Sequence, residues 1–221
     1  MPDGSLEHLY AGKQAGYFEF SRPEMLAFVP ESARKVLDVG CGAAGFSGTL
    51  KKLRAVEVWG VELNQSAAEV ARDRIDKVYH AAFGPELDLP KGYFDAICFN
   101  DLLEHLPDPV DMLRHAATLL APGGCIVASI PNFRFFDNMI EIIIRKSARY
   151  VSEGIMDRTH LRIFTRSSIE LLFAEAGMTI ERIEGINSRY VNRKFYVANL
   201  LMLGWISDMK FLQFAVVAKP K

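Results

Sequence analysis

The stretch VLDVGCGAAG at residues 36–45 limits what this chain can fold into more than any other. Lys35 to Val39 has the length and apolar character of a buried strand, Gly40 stops it, and Gly45 to Leu53 continues with helical spacing. A strand that passes into a helix through so tight a turn is the opening of a parallel α/β unit. Gly40, Gly42 and Gly45 keep the turn free of side chains, so the backbone can approach a ligand closely. Asp38 stands just before the turn, and Glu62 ends the next apolar run, EVWGV at Glu57 to Val61.

The alternation continues along the chain. Strands are expected at Val78 to Ala81, Phe94 to Phe99, Cys125 to Ile130, Met178 to Glu184 and Phe211 to Ala218. A helix is expected to start near Ser66, where SAAE fits a capping box, and another at Asp108-Pro109, ending at Leu120. A third, Arg166 to Ala176, stops at Gly177. Two stretches break the pattern, 131–162 and 187–208, and both are placed where they can cover a pocket at the strand ends. The 221 residues are expected to form one domain, with 1–34 as an N-terminal cap segment. A formal net charge of -1 gives no global basic field, so nucleic acid is not expected as a partner. Cys41, Cys98 and Cys125 are odd in number and widely spaced, which argues against a disulfide framework. No signal peptide is evident, and the longest apolar stretch, Phe195 to Ile206, is too short to cross a bilayer; a cytoplasmic location is expected.

Two cofactors compete for the first loop. G-x-G-x-x-G followed by an acid at Glu62 fits a dinucleotide site, and with it an NAD-dependent oxidoreductase. Asp38 decides against that reading, because a carboxylate there opposes the pyrophosphate charges held at the helix N-terminus. S-adenosylmethionine carries an ammonium and a sulfonium and no phosphate, so the same acid favours it.

VLDVGCGAAG and GVELN resemble the first two motifs of class I S-adenosylmethionine-dependent methyltransferases. FDAICFNDLLEHL, LLAPGG, SIPN and DRTHLRIFT are similar, in order and spacing, to a bacterial branch found beside glycosyltransferases and acting on small molecules or cell-surface glycan precursors. The resemblance runs from about Tyr17 to Ile183. It implies a Rossmann-like, doubly wound sheet of seven strands, mostly parallel with the last strand antiparallel. It also implies that Asp38 and the Gly40, Cys41, Gly42 backbone hold the methionine part, that Glu62 and Leu63 meet the ribose, that Phe83 lies at the adenine, and that Asn100 receives the ammonium. Ala44 departs from a third glycine, and the acid that usually follows the third strand is absent from HAAFG at 80–84. The expected products are a methylated acceptor and S-adenosylhomocysteine. A non-catalytic module retaining the cofactor fold is the alternative, against which the intact Asp38, Gly40, Gly42 and Glu62 set argues.

A hydroxyl acceptor has to lose its proton, so a base near the transferred methyl is needed. His8, His80 and His115 have no motif around them. His105, in NDLLEH, and His160, in DRTHLR, are the candidates, with His160 preferred. In the alternative, Asp157, His160 and Arg162 only brace the 131–162 insertion. A metal reading competes: Asp101, Glu104 and His105 resemble the E-x-x-E-H of ubiquinone-pathway and small-RNA O-methyltransferases, where His160 is implied as a fourth ligand for Mg²⁺ or Mn²⁺. Tyr17, Phe18 and Phe20, with Arg22, are expected either to cover the cofactor or to pack on the domain. Met139 to Arg149 joins an apolar run to basic residues, as in a solvated amphipathic helix or a peripheral membrane contact. Phe195 to Trp205 suits an acceptor pocket or a dimer contact; oligomeric state is not legible.

Overall fold

The computed structural model describes residues 21–188 and 193–221. His8, Tyr17, Phe18 and Phe20 lie outside the described residues. Seven strands form one sheet: β1 (Lys35–Val39), β2 (Glu57–Glu62), β3 (Lys77–His80), β4 (Phe94–Asn100), β5 (Leu120–Pro131), β6 (Met178–Ser188) and β7 (Phe211–Pro220). Their order is β3-β2-β1-β4-β5-β7-β6, and β7 runs antiparallel to both neighbours. β1 pairs in parallel with β2 on one side and β4 on the other, so the strand order reverses there. In an open α/β sheet that reversal leaves a crevice beyond the strands' C-terminal ends.

Helices α1 (Gly45–Leu53), α2 (Gln65–Arg72), α3 (Pro109–Leu119) and α5 (Arg166–Glu175) follow β1, β2, β4 and the first insertion. Alternation along β1 sends Leu37 and Val39 into one apolar cluster, with Phe99, Ile126 and Phe173, and Val36 into another, with Phe46, Leu50 and Val58. Asp38 shares Val36's face and is therefore directed toward α1. In β2, Gly60 is required by space: a Cβ there would lie 2.6 Å from Cys41 Sγ and 2.8 Å from Ile75 Cδ1.

The caps refine the sequence reading. Asp108 accepts from Asp111 N–H at 3.0 Å as expected, and Thr165 forms a capping box with Ser168. The helix expected near Ser66 instead starts at Gln65, because Asn64 accepts from Ala67 N–H at 2.9 Å. β5 starts at Leu120 and takes the APGG stretch into the strand, with a register shift opposite Phe94 and Ala96.

In the first insertion, α4 (Phe136–Met139) widens into a π turn at Ile140–Ile144. Between β6 and β7 lies α6 (Arg193–Leu201). The two meet at their bases. The Phe136 and Phe195 rings stand edge to face at 5.7 Å, and Arg134 lies over the Trp205 ring while pairing with Asp208 at 2.8 Å.

Candidate active site

A cleft of about 1120 Å³ opens beyond the C-terminal ends of β1, β2 and β4. It is lined by Asp38, Gly40, Cys41, Gly42, Glu62, Leu63, Phe83, Asn100, Glu104, His105 and His160 among others, so these residues anticipated from the sequence meet in one place.

At one end lies the glycine turn. Gly40 has φ +73°, open to glycine at little cost, and a Cβ there would meet Leu102 at 3.2 Å. Gly40 and Cys41 N–H donate to Val61 C=O, which ties the turn to the end of β2. Ala44 adopts φ 58°, a left-handed conformation that costs an L-residue about 1–2 kcal/mol. Its methyl is fully buried against the second apolar cluster, which offsets that cost.

The acids of the cleft are treated differently. Glu62 accepts from Gly42 N–H at 2.8 Å and Asn64 N–H at 2.7 Å, one bond to each oxygen. Burial raises its pKa, and the backbone N–H groups of Asn64, Gly42 and Leu63 oppose that rise. Each oxygen keeps a lone pair that can accept a hydroxyl. Asp38 is almost wholly buried, and burial pushes its carboxyl up to about 7; Ser47 opposes the shift, Glu62 adds to it, and Arg22 opposes it. Asn100, at the end of β4, has both side-chain Oδ1 and Nδ2 buried without a hydrogen-bond partner. A buried amide costs free energy unless a ligand satisfies it. Phe83 closes this end, its ring against Phe99 at 5.8 Å and His115 at 5.2 Å. His80 bonds to Leu63 C=O at 2.9 Å. The Cys41 thiol is raised well above its ordinary pKa by burial, so it is no nucleophile.

At the other end, the turn Leu103–His105 meets the segment Asp157–Arg162. Leu161 and Arg162 N–H both donate to Glu104 C=O, and Arg162 also reaches Pro107 C=O. Asp157 accepts from Thr159 N–H and hydroxyl, at 2.9 and 2.8 Å. Asp157 and Arg162 therefore do brace this segment. His160 takes part in that brace through its Nδ1 and also faces the cleft: its Nε2 lies 3.9 Å from Glu104 Oε1, and its ring stands 4.7 Å from that of His105. His105 Nδ1 bonds to Thr159 C=O at 3.0 Å and His160 Nδ1 to Ile155 C=O at 2.9 Å. A carbonyl only accepts, so each Nδ1 carries the hydrogen and the neutral rings keep their lone pair on Nε2. Both Glu104 oxygens are buried without a hydrogen-bond partner, and burial, with Asp101 adding, holds this carboxyl well above the usual range.

Glu104, His105 and His160 bring ligand-type atoms within 4.8 Å of one another. Asp101 does not join them, which corrects the four-residue set expected from the motif. Its carboxylate is taken by an ion pair with Arg22 and by hydrogen bonds from Ser129 Oγ at 2.7 Å and Gln213 Nε2 at 2.6 Å. The backbone of Asp101 is left-handed, φ 49°. Sequence reasoning missed this network, although Gln213 is the one polar side chain in FLQFAVVA and could have signalled it.

With that geometry in place, comparison with known proteins identifies the family. A family model described as "Methyltransferase domain" matches residues 13–183. The chain belongs to this methyltransferase family. A ubiquinone biosynthesis O-methyltransferase from Coxiella burnetii is 30% identical over 181 residues, covering 79% of this chain and 76% of that protein. Its counterpart from Chromobacterium violaceum is 29% identical over 184 residues, covering 77% of each. Among solved structures, a SAM-dependent methyltransferase from Archaeoglobus fulgidus shares the fold with a TM-score of 0.62 at 20% identity, covering 98% of this chain and all of that one. The protein is a methyltransferase that uses S-adenosylmethionine, and the nicotinamide reading is set aside. The glycosyltransferase-associated branch is not marked by these relatives.

Proposed function

We propose that this methyltransferase acts on a hydroxyl of a small molecule or glycan precursor, with His160 as proton acceptor and Glu104 as its partner. The observation that carries the reading is the buried Glu104 carboxyl, unpartnered and beside His160, in the same cleft as the unpartnered Asn100 amide. That the relatives are named O-methyltransferases supports oxygen as the acceptor atom. S-adenosylmethionine supplies, when bound, a methyl made electrophilic by its sulfonium. Asp38 and Asn100 hold the ammonium and Glu62 the ribose hydroxyls, while the Gly40 to Gly42 backbone lies along the methionine part, Leu63 beside the ribose and Phe83 at the adenine. An acceptor hydroxyl beside His160 would give its proton to Nε2 as its oxygen takes the methyl carbon, the sulfur–methyl bond breaking with its electron pair left on sulfur in S-adenosylhomocysteine. Glu104 Oε1 stands 3.9 Å from the atom that takes the proton and would stabilise the imidazolium when ionised, and His105 shapes the wall beside it. General-base assistance of this kind contributes about 10²–10⁴-fold.

The test is His160→Ala and Glu104→Gln with a panel of catechol, phenol and sugar hydroxyls. Turnover is expected to fall roughly 10²-fold or more for His160→Ala, with S-adenosylhomocysteine affinity unchanged. The variant should also lose the acid limb of the pH-rate profile. Turnover within about threefold of the parent would refute the base.

A second reading uses a metal. Both imidazoles give Nδ1 to a backbone carbonyl, the arrangement that orients histidine ligands, and the unpartnered Glu104 completes a three-residue set. Two imidazoles and one carboxylate suit Mn²⁺ or another transition ion better than Mg²⁺, since Asp101 is engaged elsewhere. Such an ion would polarise the acceptor hydroxyl. Calorimetry with MnCl₂ that shows no heat, together with turnover that survives chelation, excludes this second reading.

A further inference from the structure

We infer that the two insertions form a docking surface for an anionic lipid bilayer. Twelve of the sixteen large apolar side chains exposed among the described residues lie within 131–162 and 187–208. The rest of the described surface carries four. Leu203 is 96% exposed, Leu201 78%, Leu200 77% and Ile144 71%. Leu203 also has a left-handed backbone, φ 52°, which costs an L-residue about 1–2 kcal/mol. The turn is held by Leu203 N–H and Gly204 N–H, which donate to Leu200 C=O at 3.0 Å and Asn199 C=O at 2.7 Å, and it leaves the leucine side chain standing in water.

Charge selects the occupant. Lys146 and Arg149 are exposed directly after the apolar turn Ile140–Ile144, Arg145 beside them pairs with Glu141, and the stretch from Arg193 to Ser207 contains no acidic residue. Apolar side chains flanked by basic ones fit the boundary of a bilayer rich in anionic headgroups, where the chains enter the acyl region and the cations stay with the phosphates. A neutral apolar partner protein would not call for the cations. No helix among the described residues is long and apolar enough to cross a membrane, so the contact is peripheral.

The patch is continuous with the site. The first insertion lends Glu153, Ile155 and His160 to the cleft wall, and its base is locked to the second through Phe136–Phe195 and Arg134–Trp205. Docking therefore sets the cleft beside the bilayer, where an acceptor carrying a lipid tail can enter without leaving it. This lipid-linked acceptor rests on the cleft's role in acceptor binding; the membrane contact does not.

The experiment is co-sedimentation of the full chain, saturated with S-adenosylhomocysteine, with vesicles of phosphatidylcholine alone or mixed equally with phosphatidylglycerol. Binding is expected only to the mixed vesicles, weakening as salt is raised, with a blue shift of Trp205 emission. The Leu200→Ser/Leu203→Ser variant should bind roughly tenfold or more weakly, and Lys146→Glu/Arg149→Glu should do the same, both with S-adenosylhomocysteine affinity unchanged. The proposal is overturned if the parent fails to bind the mixed vesicles or binds both compositions equally. It is also overturned if sedimentation reveals a dimer that the leucine variant dissolves, since a second copy would then cover the patch. Failure of the hydroxyl-transfer reading would leave vesicle binding intact, so the two fail separately.

Discussion

Replacing Asp38 with Asn should make the protein more stable and a poorer binder of its cofactor, with both effects set by pH. In the folded chain this carboxyl has a pKa of about 7 against an ordinary 3.8, chiefly because it is buried. A difference of roughly 3 units corresponds to about 4 kcal/mol at 1.36 kcal/mol per unit. The folded state binds the proton more tightly than the unfolded chain. Stability therefore declines as pH rises from about 3.8 to about 7 and is flat, for this group, above that. Asn carries no such penalty but must satisfy its own amide, so a gain of about 2–4 kcal/mol is expected near pH 8, vanishing below about pH 4. Binding of a cation requires the ionised acid, so the parent's affinity for S-adenosylhomocysteine should weaken about tenfold per pH unit below 7. The Asn variant should bind about 1.5–3 kcal/mol more weakly near pH 8 and lose that pH dependence. Urea unfolding across this range, paired with calorimetric titration, measures both. A variant no more stable than the parent near pH 8, or a parent affinity flat between about pH 5.5 and 7, would falsify the reasoning.

Two further outcomes follow from the same cleft. Glu62→Ala should cost about 2–4 kcal/mol of cofactor binding, because each charge-assisted hydrogen bond contributes about 1.5–3 kcal/mol; an unchanged dissociation constant by calorimetry would rule out the role. Gly60→Ala should destabilise the fold by roughly 1–3 kcal/mol through overpacking against Cys41 and Ile75, and Cys41→Ala should recover part of that loss in thermal unfolding.

The first loop was legible because its constraints are local. A strand, a turn of positive φ and a helix follow one another within the residues 35–53, and each leaves its own mark on composition. Glu62 was legible too, because the spacing of two consecutive strands places it. The capping residue of the second helix was misread by two positions, Asn64 in place of Ser66, since Ser66 and Glu69 fit a capping pattern that the backbone does not use. The commitments of Asp101 were hidden for another reason. Its partners Ser129 and Gln213 stand 28 and 112 positions away, on strands that become neighbours only when β7 inserts between β5 and β6. A motif read as D-x-x-E-H assumes that its acids act together, and long-range pairing decided otherwise.

How the chain treats each buried polar group at this edge separates structure from function. Asp101 receives a cation and two hydrogen bonds from protein groups, and Glu62 receives two backbone N–H donors. Asp38 is only partly compensated, while the amide of Asn100 and the carboxyl of Glu104 have no hydrogen-bond partner at all. A buried polar group left unsatisfied costs about 1–3 kcal/mol, and a leucine or alanine at either position would avoid that cost. Had the cleft served packing alone, side chains that destabilise the empty protein would have no role there. The graded compensation fits the proposed site, in which a cation would meet Asp38 and Asn100, and a proton or a metal ion would meet Glu104 beside His160.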